Sequence, residues 1–354
     1  MGFIVAIVIV AAILAITYVG VAVAGLNVFF GIILPYIAIA VFIVGVVCRI
    51  IKWAKSPVPF NIVTTCGQEK SLDFIKTNPI DNPTTRAGVV VRMILEVTVF
   101  RSLFRNSKAE LTEDGDIKYQ WEKWLWIFAL LFHWGMFFTL LRHFRFFTAN
   151  VPAWVGWIEN VDGVFMVDLH PIYLTGFMMV GGLVLLLLRR LYIGKVRYIS
   201  LLNDYFPLCL LIGIGLMGMV MRYTDFGHVN INAVGDLMVS LVTFHPALPA
   251  EPIGAAFYMH LALVCTLLIY FPMGKLMHAI GIFMSPTRNM INNSRAKRHV
   301  NPWNPVVEFH YYSDYEDEFR EKMVKVGLPV DKTIEQAAAE KAEKEAALKA
   351  ELGI

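Results

Sequence analysis

The chain is 354 residues long, with 57% hydrophobic residues, only 17% charged residues and a formal net charge of +3. A soluble domain carries about a quarter charged residues, so this composition argues for lipid as the solvent. The small net charge says little by itself, and nucleic acid is not implied.

A spanning helix needs about 20 mostly apolar residues. Phe3–Gly25 contains no charged residue, and Leu26–Ile51 contains only Arg49. Residues 1–51 therefore predict a transmembrane hairpin that turns near Gly25 to Asn27. Phe3–Gly25 has neither a basic n-region nor a small-residue cleavage site, so it is read as a retained helix. Residues 52–120 form a polar segment. Within it, Arg86–Arg105 is apolar but broken by Arg92, Glu96 and Arg101, which predicts an amphipathic helix on the membrane surface. Residues 121–284 supply four further spans, Trp124–Phe147, Val167–Leu188, Ser200–Met221 and Gly254–Met284. Residues 285–354 form a tail. Asn301–Phe319, rich in proline and aromatics, reads as extended, and Thr333–Leu352, rich in Ala, Glu and Lys, as a solvated helix. The fold class predicted is an all-α membrane protein, a six-transmembrane-helix bundle.

Orientation follows from Lys and Arg. Lys52, Lys55, Lys70, Lys76, Arg86, Arg92, Arg101, Arg105, Lys108 and Lys118 crowd the first long segment, and Arg189, Arg190, Lys195 and Arg197 the link after the fourth span. Thr148–Met166 and Thr224–Ile253 have none. The positive-inside rule then predicts a multi-pass protein of the cytoplasmic membrane with both termini and residues 52–120 in the cytoplasm.

Cys48, Cys66, Cys209 and Cys265 are scattered and form no C-x-x-C pair, so neither an iron–sulfur cradle nor a covalent haem attachment is expected. The histidines are more informative. His133 and His143 lie in the third span, His260 and His278 in the sixth. A polar group in hydrocarbon needs a partner, at a cost of several kcal/mol for lacking one. Ten residues of helix separate His133 from His143 by about 15 Å, and eighteen residues, about 27 Å and five turns, separate His260 from His278. The two spans run in opposite directions. His133 is therefore expected beside His278 near the basic side, and His143 beside His260 near the other. Zinc or di-iron sites want carboxylates or more ligands per metal, whereas haem b needs one imidazole on each face. Two haems b are expected, with Arg142, Arg145 and Lys275 as candidate partners for their propionates. A proton-coupled transporter would show mid-membrane acidic residues and broken helices, which the spans lack. A plain anchor with structural histidines is the remaining alternative.

The spacing His133-x9-His143 with His260-x17-His278 resembles the ligand pattern of the dihaem cytochrome b subunits of respiratory nitrate reductases and their relatives. "TTCGQEKSLDFIK" (Thr64–Lys76), "VRMILEVTVFRSLFRN" (Val91–Asn106) and "WLWIFALLFHWGMFFTLLRHFRFF" (Trp124–Phe147) resemble the DsrM family, the cytochrome b subunits of the Dsr membrane complex of sulfur metabolism. The resemblance spans roughly residues 3–300, and the chain carries one more N-terminal span than the nitrate reductase subunit.

The resemblance implies a subunit that oxidises menaquinol and passes electrons through both haems to a cytoplasmic iron–sulfur partner similar to heterodisulfide reductase. It also implies other membrane and periplasmic redox subunits, among them a c-type cytochrome. A sibling complex with another acceptor would use the same subunit type. A two-haem wire is needed only if electrons enter opposite the large cytoplasmic loops. Quinol is therefore expected near the far pair, walled by Arg145, Trp154, Trp157, Asp168 and His170, with Asp168 or His170 accepting a proton. The interfacial aromatic belt accounts equally for the two tryptophans.

Overall fold

In hydrocarbon a backbone must satisfy its own hydrogen bonds, and an uninterrupted apolar helix does so within one segment. The computed structural model describes residues 1–56, 78–167, 170–227, 229–291 and 309–352. Thr64–Lys76, with Cys66, lies outside the described residues, as do Asp168, His228, His299 and residues 301–308 of the tail. Among those described, six helices are long and apolar enough to cross a membrane. They are α1 (Gly2–Ala22), α2 (Leu34–Ala54, entered through a π-helical turn at Phe29–Ile33), α4 (Lys123–His143), α6 (Leu174–Tyr192), α7 (Leu202–Tyr223) and α9 (Ala255–Tyr270). Between α2 and α4 lies α3 (Arg86–Thr98), and α5 (Ala153–Asp162) and α8 (Ile231–Val242) occupy the links that lack Lys and Arg. The α1–α2 turn falls at Gly25, with φ +66°, as its glycine predicted.

Two span boundaries differ from the sequence expectation. The fourth begins at Leu174, not Val167, because β3 (Gly163–Val167) pairs antiparallel with β4 (His170–Tyr173). β1 (Ser107–Leu111) and β2 (Ile117–Trp121) make a similar ribbon in the basic segment. The sixth span is not one helix to Met284. Pro272 lacks an N–H and its ring opposes the preceding turn, so α9 ends at Tyr270 in a 3-10 turn, Phe271–Met273. Gly274 is extended, and His278 opens a separate four-residue helix, His278–Gly281. Five continuous helical turns between His260 and His278 therefore do not exist.

The surface helix is also shorter than expected. α3 is capped by Thr85, which accepts from the Gly88 amide, and stops at Thr98. Its charged face turns inward: Arg92 and Glu96 are buried, whereas Val90, Val91, Ile94 and Val97 are exposed. Glu96 accepts from the amide and hydroxyl of Ser102.

Lipid is as apolar as leucine, so span association rests on close packing more than on transfer from water. α4 and α6 approach most closely, through a glycine on each. A Cβ at Gly135 would lie 2.6 Å from the Met179 nitrogen, and one at Gly182 would lie 2.7 Å from the Phe132 nitrogen. Phe132, Met179, Val180, Leu183 and Leu211 fill the contact. α9 packs on α1, α2 and α7, with Phe257, Leu261 and Cys265 in its core face. Gly135 and Phe132 flank His133, so this packing fixes where the third-span histidines stand.

Residues 300–354 form a second compact unit. Its α10 (Tyr312–Lys325) includes the latter part of the stretch expected to be extended, and α11 (Ile334–Leu352) is the solvated helix read from composition. Glu316 of α10 is buried, accepting from the Asp331 and Lys332 amides of the link to α11 and from the Arg320 guanidinium.

Candidate functional site

His133 and His143 project from α4, each with its ring anchored one turn back. His133 Nδ1 lies 2.7 Å from the Ala129 carbonyl oxygen, and His143 Nδ1 lies 2.7 Å from that of Thr139. A carbonyl only accepts, so Nδ1 carries the proton and Nε2 keeps its lone pair. His278 has the same arrangement, Nδ1 donating to the Lys275 carbonyl at 2.8 Å. His260 Nδ1 is buried and turned toward Ile214 of α7 without completing a hydrogen bond. Three of the four imidazoles are thus set in the tautomer that offers Nε2 to a ligand.

The four rings form two facing pairs. His133 and His278 have centroids 6.0 Å apart with planes at 78°, and His143 and His260 have centroids 6.5 Å apart with planes at 15°. In the His133–His278 pair both Nδ1 protons are spent on backbone carbonyls, so neither ring has an N–H left to donate to the other. Two metal–nitrogen bonds of about 2.0 Å, with about 1.1 Å more from each nitrogen to its ring centre, would give about 6.2 Å between two imidazoles that share one iron. Both pairs sit at that spacing. Among the described residues, no group of three or more His, Cys, Asp or Glu could hold a metal ion. A metal between these rings would have to bring its other ligands with it, as a porphyrin does. The donor set therefore fits haem b.

The cations expected at the propionates are each engaged by a carboxylate of the chain. Arg142 is buried and pairs with Asp162 at 3.1 Å, donates to Thr175 Oγ1 and lies 3.8 Å over the Tyr173 ring. Arg145 pairs with Glu159 at 2.8 Å, and Lys275 reaches Asp204 at 2.5 Å. Asp162 also accepts from the amide and hydroxyl of Thr175, so α4, α5 and α6 are tied together beside His143. Of the residues expected to wall a quinol site, Trp154 stands on α5 edge-on to Phe144, 43% exposed, and Trp157 is exposed on the same helix. His170 opens strand β4, and Asp168 lies outside the described residues.

Sequence reasoning missed Asp162, Glu159 and Arg222. The Arg222 guanidinium lies 4.1 Å from Tyr173, on which Arg142 also stacks. The only signal was the acidic pair three residues apart in "WIENVD" (Trp157–Asp162), within a link otherwise without charge near the membrane.

Six spanning helices around two facing histidine pairs define a membrane-embedded electron-transfer subunit of the cytochrome b type. The chain belongs to the nitrate reductase gamma subunit family, which it matches over residues 87–295, as a DsrM-like cytochrome b and a subunit of an oxidoreductase complex. It is 44% identical over 286 residues to the Hdr-like menaquinol oxidoreductase cytochrome b-like subunit of Archaeoglobus fulgidus, a match covering 79% of this chain and 85% of the relative. It is 38% identical over 284 residues to the protein of the same description from Archaeoglobus profundus, covering 78% of this chain and 82% of that one.

Proposed function

We propose that this chain oxidises menaquinol and delivers the electrons across the cytoplasmic membrane to an iron–sulfur partner on its basic, cytoplasmic side. The spacing of the two histidine pairs, 6.0 and 6.5 Å between ring centres, carries the reading. His133 and His278 would hold one haem b near the cytoplasmic side, and His143 and His260 a second near the outer side. When bound, such haems supply one-electron transfer between fixed sites.

The protein's own residues set the conditions. The Ala129, Thr139 and Lys275 carbonyls hold three imidazoles as neutral donors through Nε2. The Arg142–Asp162 pair ties the outer end of α4 to α5, and Asp162 ties both to α6 through Thr175, which restrains the end of the helix that carries His143. Menaquinol gives up two electrons and two protons. Electrons must leave where the large loops are, so quinol binds at the outer end, with Trp154, Arg145, Asp168 and His170 as its wall. Asp168 or His170 takes the two protons one after the other and passes each to the outer aqueous phase. Arg145 is held by Glu159 of α5.

The acceptor is an iron–sulfur subunit of heterodisulfide-reductase type, docked on residues 52–120 and the C-terminal helices. Other membrane and periplasmic redox subunits complete the assembly, serving dissimilatory sulfur metabolism. The archaeal relatives, described as subunits of Hdr-like menaquinol oxidoreductases, support both donor and acceptor.

The test separates quinol entry from haem binding. Replacing Asp168 and His170 together by Asn and Gln should slow haem reduction by a menaquinol analogue at least tenfold while leaving dithionite reduction intact. Unchanged quinol-driven reduction, or quinone located beside His278, contradicts the outer site.

A further inference from the structure

The two histidine pairs are alike in separation and unlike in orientation. The planes of His143 and His260 are 15° from parallel, whereas those of His133 and His278 cross at 78°. Both third-span rings are tethered through Nδ1 to the carbonyl four residues back. The tether alone therefore does not explain the difference. His143 meets the Phe146 ring of the turn that follows its helix, at 5.9 Å and 65°, whereas His133 meets a closer phenyl ring brought in from a segment outside its span.

That ring belongs to Phe100. α3 ends at Thr98, and Phe100 follows with φ 52° and ψ 48°, the left-handed region that side chains other than glycine's rarely adopt. Strain of this kind persists only where the surroundings impose it. Two indoles of α4 impose it here. Trp134 Nε1 donates to the Thr98 carbonyl at 2.9 Å, and Trp126 Nε1 donates to the Val99 carbonyl at 2.7 Å. These carbonyls are among those a helix end leaves without partners, so the indoles cap α3 and pin it to the span that carries the histidine. The turn places the Phe100 ring edge-on to His133, 4.9 Å between centroids at 77°. Phe132 lies on the same imidazole at 4.6 Å and 61°. With Nδ1 tethered and Phe100 against it, the ring cannot rotate toward the plane of His278.

We propose that Phe100 is a positioning residue which holds the His133 imidazole across that of His278, making the cytoplasmic-side haem electronically distinct from the outer one. The inference rests on the haem reading above and concerns only this chain's residues. The physical ground is simple. An imidazole donates π density to iron in the direction normal to its plane. Parallel planes load one of the two relevant iron orbitals and split the pair. Crossed planes load both alike and leave them nearly degenerate. Oxidised low-spin iron then gives a highly anisotropic resonance with one large-g feature when the planes cross, and a rhombic one with three resolved features when they align. An electronic difference between two otherwise similar centres also helps give a relay its direction.

The experiment is low-temperature electron paramagnetic resonance of the oxidised, haem-loaded full chain, with haem content measured first. Wild type should show one large-g signal and one rhombic signal in equal amounts, and His143→Ala should lose the rhombic one. Phe100→Gly removes the ring and accepts the positive φ without strain, so it should fold with both haems. In it the large-g signal should shift toward the rhombic form while the other stays in place, and Phe100→Tyr should restore the wild-type spectrum. Two signals of one type in wild type, or a large-g signal unmoved in fully loaded Phe100→Gly, would overturn the role of Phe100. Should Phe100→Gly lose haem, Trp134→Phe, which keeps an aromatic ring but removes the indole hydrogen bond to Thr98, must move the large-g signal and no other. A colourless wild-type protein would instead overturn the haem reading itself.

Discussion

Four histidines in apolar helix are legible in sequence because each demands a partner that lipid cannot give. The residues that orient them are less so. Ala129 and Thr139 serve through backbone carbonyls one turn back, which any helix offers. Phe100 and Asp162 act across elements, and nothing local marks either. Glu316 is a comparable case in the C-terminal unit. Its carboxyl is held below its ordinary value of 4.5, first by the Asp331 amide and then by the Lys332 amide and the Arg320 guanidinium. A carboxyl lowered on folding contributes stability that is fully present above its unfolded value and lost as pH falls through the folded one. The Asp331 and Lys332 amides should therefore be protected from hydrogen exchange at pH 6. They should open below about pH 4.5, relative to their intrinsic rates, and Glu316→Gln should remove that pH dependence. Protection unchanged from pH 6 to pH 3 would contradict the assigned partners.

At the scale of elements, apolar length alone located all six spans. It failed at two boundaries. Pro272 and Gly274 stood in the sequence as a break, but the apolar run continued past them, and length was given more weight than the missing N–H. The break changes why His278 meets His133 without preventing it, since the segment after Gly274 is re-aimed rather than carried on from α9. The ribbon of β3 and β4 was hidden for another reason. Gly163–Val167 is as apolar as a span, and its pairing with His170–Tyr173 was not visible in composition. Helix contact offers a sharper test. At Gly135 an added Cβ meets backbone atoms of Met179 and Thr175, which cannot move aside as a side chain would. Gly135→Ala should force α4 from α6, cost about 1–3 kcal/mol and lower both the unfolding temperature and haem retention. Gly176→Ala, on the facing helix with nothing within 4 Å of the new Cβ, should leave both unchanged. Equal behaviour of the two variants would contradict the packing described.

For the whole molecule, the alternation of basic links with links that lack Lys and Arg, together with the two histidine pairs, supports the proposed relay. The basic side gathers α3, the β1–β2 ribbon and the link after α6, with Arg189 paired to Glu122 and Lys275 to Asp204. The opposite side gathers α5, the β3–β4 ribbon and α8. The account depends above all on which histidine shares a haem with which. Haem content and optical spectra of the wild type and the four single His→Ala variants test this directly. Wild type should carry two b-type haems per chain, and every variant should keep one. His133→Ala and His278→Ala should leave one and the same spectral species, and His143→Ala and His260→Ala should leave the other. Two full haems in any variant, or a shared residual species between His133→Ala and His260→Ala, would contradict the account.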